Sequence, residues 1–155
     1  MSDSTAAQVR ELVELVVDAL GLDTEVSIEE TDDEIVATVE GEDLGLFIGR
    51  HGSTIEAVQH LAQRVVMKDQ DRSQPRRRIV VDAAGYRARR REALEGQAGD
   101  AADEAIRYGR PVALDAMTAT ERRIVHEYLR DRDDVETYSE GDEPDRHLVV
   151  SPAAS

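Results

Sequence analysis

The 155-residue sequence contains no cysteine. That excludes disulfide staples, thiolate nucleophiles, iron–sulfur clusters and cysteine-based zinc sites, and it fits a reducing compartment. Tryptophan is also absent, and four tyrosines and one phenylalanine offer little aromatic surface for stacking bases. No apolar run reaches the about 18 residues of a membrane-spanning helix, and Met1-Ser2-Asp3-Ser4 lacks the basic and apolar regions of a signal peptide. These absences predict a soluble cytoplasmic protein with no membrane partner.

Catalytic signatures are equally scarce. No G-x-S-x-G, Walker or Rossmann pattern occurs, and His51 and His60 lack the spacing of a metal-binding pair. The sequence therefore predicts no enzyme, no metal and no cofactor.

What the chain has in abundance is acid. Against 19 Lys+Arg stand 34 Asp+Glu, a formal charge of −15, which as an average opposes contact with a polyanion. The charge is unevenly spread. Residues 1–71 carry 4 basic and 17 acidic groups, residues 72–91 carry 8 and 1, and residues 92–155 carry 7 and 16. One strip near +7, with Arg72, Arg76, Arg77, Arg78, Arg87, Arg89, Arg90 and Arg91, thus sits inside an acidic body. Clustered guanidinium groups release counterions from phosphates, but since every basic residue except Lys68 is arginine, pairing with the protein's own acids is an equal alternative.

Hydrophobic spacing gives the elements. Val9, Leu12, Val13, Val16, Val17 and Leu20 recur with helical period, with Thr5 and Gln8 as a capping box and Gly21 as the stop. Val26 and Ile28, then Ile35 to Val39, read as a hairpin across the acidic Thr31-Asp32-Asp33. An apolar piece, Leu44 to Ile48, leads into Gly49-Arg50-His51-Gly52; Ser53 and Glu56 read as a second capping box for a helix carrying Ile55, Val58, Leu61, Ala62 and Val65. Ile79 to Val81 is a third strand. Residues 86–108 form a helix weakened by Gly96 and Gly99, at about 1 kcal/mol each relative to alanine. A short strand at 111–114, a helix opened by Thr118 and Glu121, and strands at 135–138 and 147–150 complete the chain. Tyr128 is expected in the core, and Phe47 in either core or groove.

Two places carry candidate chemistry. In Gly49-Arg50-His51-Gly52, two glycines let a backbone approach without a Cβ in the way, just ahead of the free N–H groups of a helix. The pattern suits a phosphate, although a bare G-x-x-G is common and more often marks a tight turn between helices. The order helix, strand, strand, apolar half-turn, G-x-x-G, helix, strand, with the words Leu46-Phe47-Ile48-Gly49-Arg50-His51-Gly52-Ser53-Thr54-Ile55, resembles a KH domain of type II over roughly residues 8–82. By that resemblance Gly49 and Gly52 admit a nucleic-acid backbone, Arg50 faces a phosphate, and Ile48, Ile55 and Val58 are candidates for an apolar base groove or for plain core. His51 stands where a second cation is common, and Glu40, Glu42 and Asp43 lie just upstream, so weak affinity is expected of this module.

The second place is Arg122-Arg123-Ile124-Val125-His126. Arg122 and His126, four residues apart, fall at about 0° and 40° on a helical wheel, beside Ile124, Val125, Tyr128 and Leu129 at about 200° to 340°. The pair borders the buried face, although in an arbitrary R-x-x-x-H the arginine more often pairs with an acid on a surface helix. The run Met117-Thr118-Ala119-Thr120-Glu121-Arg122-Arg123-Ile124-Val125-His126, followed by Val135 to Gly141 and Arg146 to Val150, resembles the R-three-H domain, named for its Arg and His with three residues between them. Domains of that family bind single-stranded nucleic acid. The resemblance carries Arg122 and His126 over as contacts, with Arg146 and His147 as auxiliary candidates on the last strand.

A KH module followed by an R-three-H module resembles the Jag/KhpB family of bacterial RNA-binding proteins. Many members carry an additional N-terminal domain, whereas this chain starts close to the KH helix. The expected fold is α+β: a KH domain at 1–82, a connecting helix at 83–110, a small R-three-H domain at 111–150 that takes in part of that helix, and a disordered tail at 151–155. The expected function is non-catalytic binding of single-stranded RNA, or of single-stranded DNA, in post-transcriptional regulation or as an RNA chaperone. Arg76, Arg77 and Arg78 are auxiliary contacts. Links to cell elongation and cell-wall control, and pairing with the small KH protein KhpA, are implied by the resemblance alone. The alternative is an interaction scaffold that uses its KH surface for self-association or a KH partner, with RNA contact secondary.

Overall fold

The valine stripe Val9, Val13 and Val17 is the buried face of helix α1 (Ser2–Ala19). The computed structural model describes residues 2–154, with side chains from Thr5 to Ala154. Because α1 is already under way at Thr5, the Thr5/Gln8 pair does not cap it; Gln8 Nε2 instead donates to Asp69 Oδ2 at 2.9 Å. Leu20 lies beyond the last helical residue, where the chain turns through Gly21, and is 37% exposed rather than buried.

Strands β1 (Thr24–Glu30) and β2 (Glu34–Gly41) form the expected antiparallel hairpin, and β3 (Arg78–Ala83) lies parallel to β2 in the order β1-β2-β3. Parallel neighbours need a crossover. It is supplied by the single turn α2 (Gly45–Ile48) and helix α3 (Ser53–Asp69). Alternation puts Ile35, Ala37 and Val39 of β2 and Ile79, Val81 and Ala83 of β3 into one core with the α1 stripe and with Ile55, Val58, Ala62 and Val66 of α3. Phe47 is wholly buried there. Leu61 stands about 100° around the helix from Ala62 and is exposed, against expectation.

The outer edge of β3 is occupied by side chains. Gln63 Nε2 donates to the Ile79 carbonyl at 3.3 Å, Gln59 Oε1 accepts the Val81 N–H at 3.0 Å, and Arg87 Nε donates to the Val81 carbonyl at 2.8 Å. An edge satisfied in this way does not offer itself for strand addition.

The chain divides into two compact units, residues 1–87 and 88–155. The first therefore runs past Asp82. Helix α4 (Tyr86–Tyr108), expected as a connector, contributes Leu94, Ala98, Ala101 and Ala102 to the second core, with Met117, Val125, Leu129, Val135, Leu148 and Val150. Its alanine face is apolar enough to be buried and small enough to permit close packing. Thr118 and Glu121 form the expected capping box of α5 (Ala119–Leu129). Tyr128, one residue off the buried Leu129, is 48% exposed rather than core.

The second sheet has the antiparallel order β4 (Val112–Ala113), β6 (His147–Pro152), β5 (Val135–Glu140). Strand β4 is shorter than 111–114 because Pro111 has no N–H to give to a ladder. Part of the expected disordered tail is ordered: Ser151 and Pro152 pair with Glu136 and Val135, and the Ala153 N–H reaches the Asp134 carbonyl at 2.8 Å. Ser155 lies outside the described residues. Arg132 donates to Asp103 at 2.9 Å and to Asp134 at 2.7 Å, and this pairing holds the Asp134 carboxyl below the usual carboxylate range.

Candidate nucleic-acid interface

In the first unit the G-x-x-G loop joins α2 to α3 through a 3-10 turn at Arg50–Gly52. Three of its four residues have positive φ: Gly49 at 72°, His51 at 55° and Gly52 at 76°. Gly52, in the left-handed region, is the N-cap of α3 without any side-chain cap, so the expected Ser53/Glu56 box does not form; Ser53 is already the first helical residue. Glycine is demanded here by the protein itself. A Cβ on Gly49 would lie 2.3 Å from Thr54 Oγ1, and one on Gly52 would lie 2.8 Å from Tyr86 Cε1. The close approach predicted for a ligand is thus made, at both glycines, by the protein's own neighbours.

Around this loop the candidates separate by exposure. Arg50 is exposed and makes no ion pair among the described residues, and His51 is half-buried. Ile48 is half-buried against the core, but Ile55 is 1% exposed, so it is core and cannot touch a base; Val58 is buried as well. Nothing in the spacing of the sequence distinguished these outcomes, because groove and core share the helical period.

The arginine strip is largely answered by the protein's own acids and carbonyls. Arg77 pairs with Glu30, and Arg78 Nε donates to Glu34 Oε2 at 2.6 Å, which fastens the start of β3 to the hairpin. Arg87 bonds Gln59 and the Val81 carbonyl, and Arg90 Nε donates to the buried Glu121 at 2.7 Å. Arg72 and Arg76 are exposed and without a partner among the described residues.

In the second unit Arg122 and His126 do lie on one face of α5, but in different environments. Arg122 is buried: Nη1 donates to the Met117 carbonyl at 2.6 Å and Nη2 to Glu143 Oε1 at 2.5 Å. His126 is exposed, and its Nδ1 meets Thr137 Oγ1 on β5 at 2.5 Å, which holds the ring by one nitrogen. Together with Ala119, Arg123 and Ser139 these residues line an open pocket of about 350 Å³ between α5 and β5. The Thr-Tyr-Ser run acquires a role here: alternation on β5 brings Thr137 and Ser139 to the face of α5. Sequence reasoning missed both, and also Arg123, since strand alternation alone does not say which face meets the helix.

The auxiliary pair stands apart. Arg146 precedes β6 rather than lying on it, and its Nη1 donates to the Gly141 carbonyl at 2.6 Å. His147 pairs in register with Glu140, with Nε2 3.7 Å from its carboxylate. Leu148 is in register with Ser139 and buried in the second core, so alternation sends His147 to the opposite face of the sheet. No group of metal-ligating side chains occurs among the described residues, and no described helix is long and apolar enough to cross a membrane.

Fold and site together define a two-unit α+β chain, a KH domain followed by an R-three-H domain. Residues 6–79 match the family model for the KH domain of KhpA/KhpB, and residues 92–152 match that for the R-three-H domain. The chain is 38% identical over 143 residues to the RNA-binding protein KhpB of Clostridium symbiosum, covering 91% of this chain and 63% of that one. It is 42% identical over 107 residues to the KhpB of Lactiplantibacillus plantarum, covering 69% and 32%, and 28% identical over 146 residues to that of Bacillus subtilis, covering 93% and 69%. The chain thus spans less than two thirds of the length of the first two. It belongs to the Jag/KhpB family.

Proposed function

We propose that this chain binds single-stranded RNA without catalysing a reaction, in the cytoplasm, and acts there in post-transcriptional regulation or as an RNA chaperone. The observation that carries the reading is the α5–β5 pocket, where an exposed and oriented His126, an Arg123 without an ion pair among the described residues, and the hydroxyl of Ser139 surround a space open to solvent. Such a set donates hydrogen bonds to phosphate oxygens and carries no base code. The exposed Arg50, in the loop that leads into the N-terminus of α3, supports a second contact in the KH loop. Relatives named as RNA-binding proteins agree with this reading. Roles in cell elongation and cell-wall control, and a KhpA partner, stay attached to the family resemblance.

The test is a titration of labelled single-stranded RNA, single-stranded DNA and duplex RNA, followed by fluorescence anisotropy at low and moderate salt. Salt-sensitive binding that favours the single strands is expected; equal binding of the duplex, or none at low salt, overturns the reading. One observation favours the scaffold alternative: Leu15 and Leu61 of the first unit are 65% and 48% exposed. Light scattering decides it, since a stable oligomer without RNA affinity supports the scaffold.

A further inference from the structure

The carboxylate that meets Arg122 belongs to the acidic turn between β5 and β6, where Asp142, Glu143 and Asp145 crowd into four residues just beyond Glu140, the last residue of β5. The two partners differ sharply in freedom. The Arg122 side chain is 10% exposed and anchored from within by the Met117 carbonyl, whereas the Glu143 side chain is 59% exposed. A buried guanidinium left without an anion is strongly disfavoured, so in the free protein some carboxylate must neutralise it. An exposed glutamate on a turn does this and is also free to leave.

We propose that Glu143 is a specificity-determining residue of the second unit: its carboxylate holds the Arg122 guanidinium where a backbone phosphate of RNA would otherwise bind, and RNA engages Arg122 by displacing it. This rests on the reading of the α5–β5 pocket as an RNA site. The neighbouring donors have no such guard. Arg123 makes no ion pair among the described residues, and neither does His126, which is exposed with Nδ1 held by Thr137. A lone anion can gain Arg122 only by exchange with a carboxylate already in place. A chain of phosphates that occupies Arg123 and His126 at the same time presents the next phosphate to Arg122 at high effective concentration, and then the exchange goes forward. The device favours extended polyanions over free phosphate.

The experiment compares the full chain with its Glu143→Gln and Asp142→Asn variants, each checked for folding by circular dichroism. Labelled single-stranded RNA is titrated in the presence and absence of inorganic phosphate at constant ionic strength. Glutamine keeps an acceptor for Arg122 but gives up the charge, so Glu143→Gln should bind RNA about three- to tenfold more tightly and become sensitive to inorganic phosphate. Asp142→Asn makes the same charge change on the same turn without touching Arg122, and should stay within about twofold of wild type. If wild type binds RNA and Glu143→Gln binds equally or more weakly, or Asp142→Asn tightens as much, the displacement is wrong while the proposed function stands. If no variant binds RNA, the proposed function falls and this inference with it.

Discussion

The ring of Tyr86 packs over the α-carbon of Gly52 so closely that a Cβ there would stand 2.8 Å from Tyr86 Cε1. With φ at 76°, the position is closed to other residues both by its backbone and by its neighbour.

Gly52→Ala should therefore destabilise the first unit by about 1–3 kcal/mol, from strain and overlap together, whether or not RNA binds. Gly52→Asp, which adds charge and bulk, reports on folding as well as on phosphate repulsion. Arg50→Glu separates the two. It should leave stability within about 0.5 kcal/mol of wild type in urea unfolding and still weaken single-stranded RNA binding. Unchanged affinity would remove Arg50 from the interface.

The arginine strip divides in the same manner. Arg76 is exposed and unpaired among the described residues, so Arg76→Gln should leave stability unchanged and, if Arg76 meets a phosphate, reduce the slope of log affinity against log salt by about 0.7. Arg77 is mostly buried against Glu30 and the Thr31 carbonyl. Arg77→Gln should leave that slope unchanged and lower stability by up to about 1 kcal/mol. Affinity measured at several salt concentrations, beside urea unfolding, checks both.

Thr137 acts through His126 as a positioning residue. Thr137→Val keeps the shape and removes the hydroxyl that meets Nδ1, so RNA affinity should fall, by less than in His126→Ala, and Thr137→Ser should restore it. The His126 ring resonances give a readout that packing alone would not move: their chemical shifts should change in Thr137→Val and return in Thr137→Ser. An affinity unaffected by Thr137→Val would assign the contact to structure only.

Leu94 is fully buried in the second core although it lies on the helix expected to be a connector. Leu94→Ala should destabilise the second unit by about 2–5 kcal/mol, as large-to-small core changes do. Amide hydrogen exchange should show lost protection in β5, β6 and α5. Protection lost only in α1 to β3 would contradict the assignment.

Much of the fold was legible because it is written in periodicity. The valine stripe of α1, the alternation of Ile35, Ala37 and Val39, and the Thr118/Glu121 box each carry their own local reason, and each is realised. The failures have reasons too. The Thr5/Gln8 and Ser53/Glu56 pairs have the spacing of capping boxes, but spacing does not say where a helix starts; α1 begins earlier, and a left-handed Gly52 already occupies the cap of α3. In α4 the sparse apolar pattern reads as poor because alanine burial depends on how closely another element approaches.

The candidate site was half legible. Sequence named Arg122 and His126 together, as a matched pair of contacts. Tertiary structure separates them, burying the arginine on Met117 and Glu143 and leaving the histidine exposed on Thr137.

By itself, then, the sequence determined the elements, their order in two modules and the acidic body around one basic strip, since period, caps and charge act between residues close in the chain. Only the tertiary structure decided which arginines are available. Glu30 meets Arg77 across 47 residues, Glu34 meets Arg78 across 44, and Glu121 meets Arg90 across 31. Pairing at such separations depends on strand register and helix packing, and no local pattern encodes it.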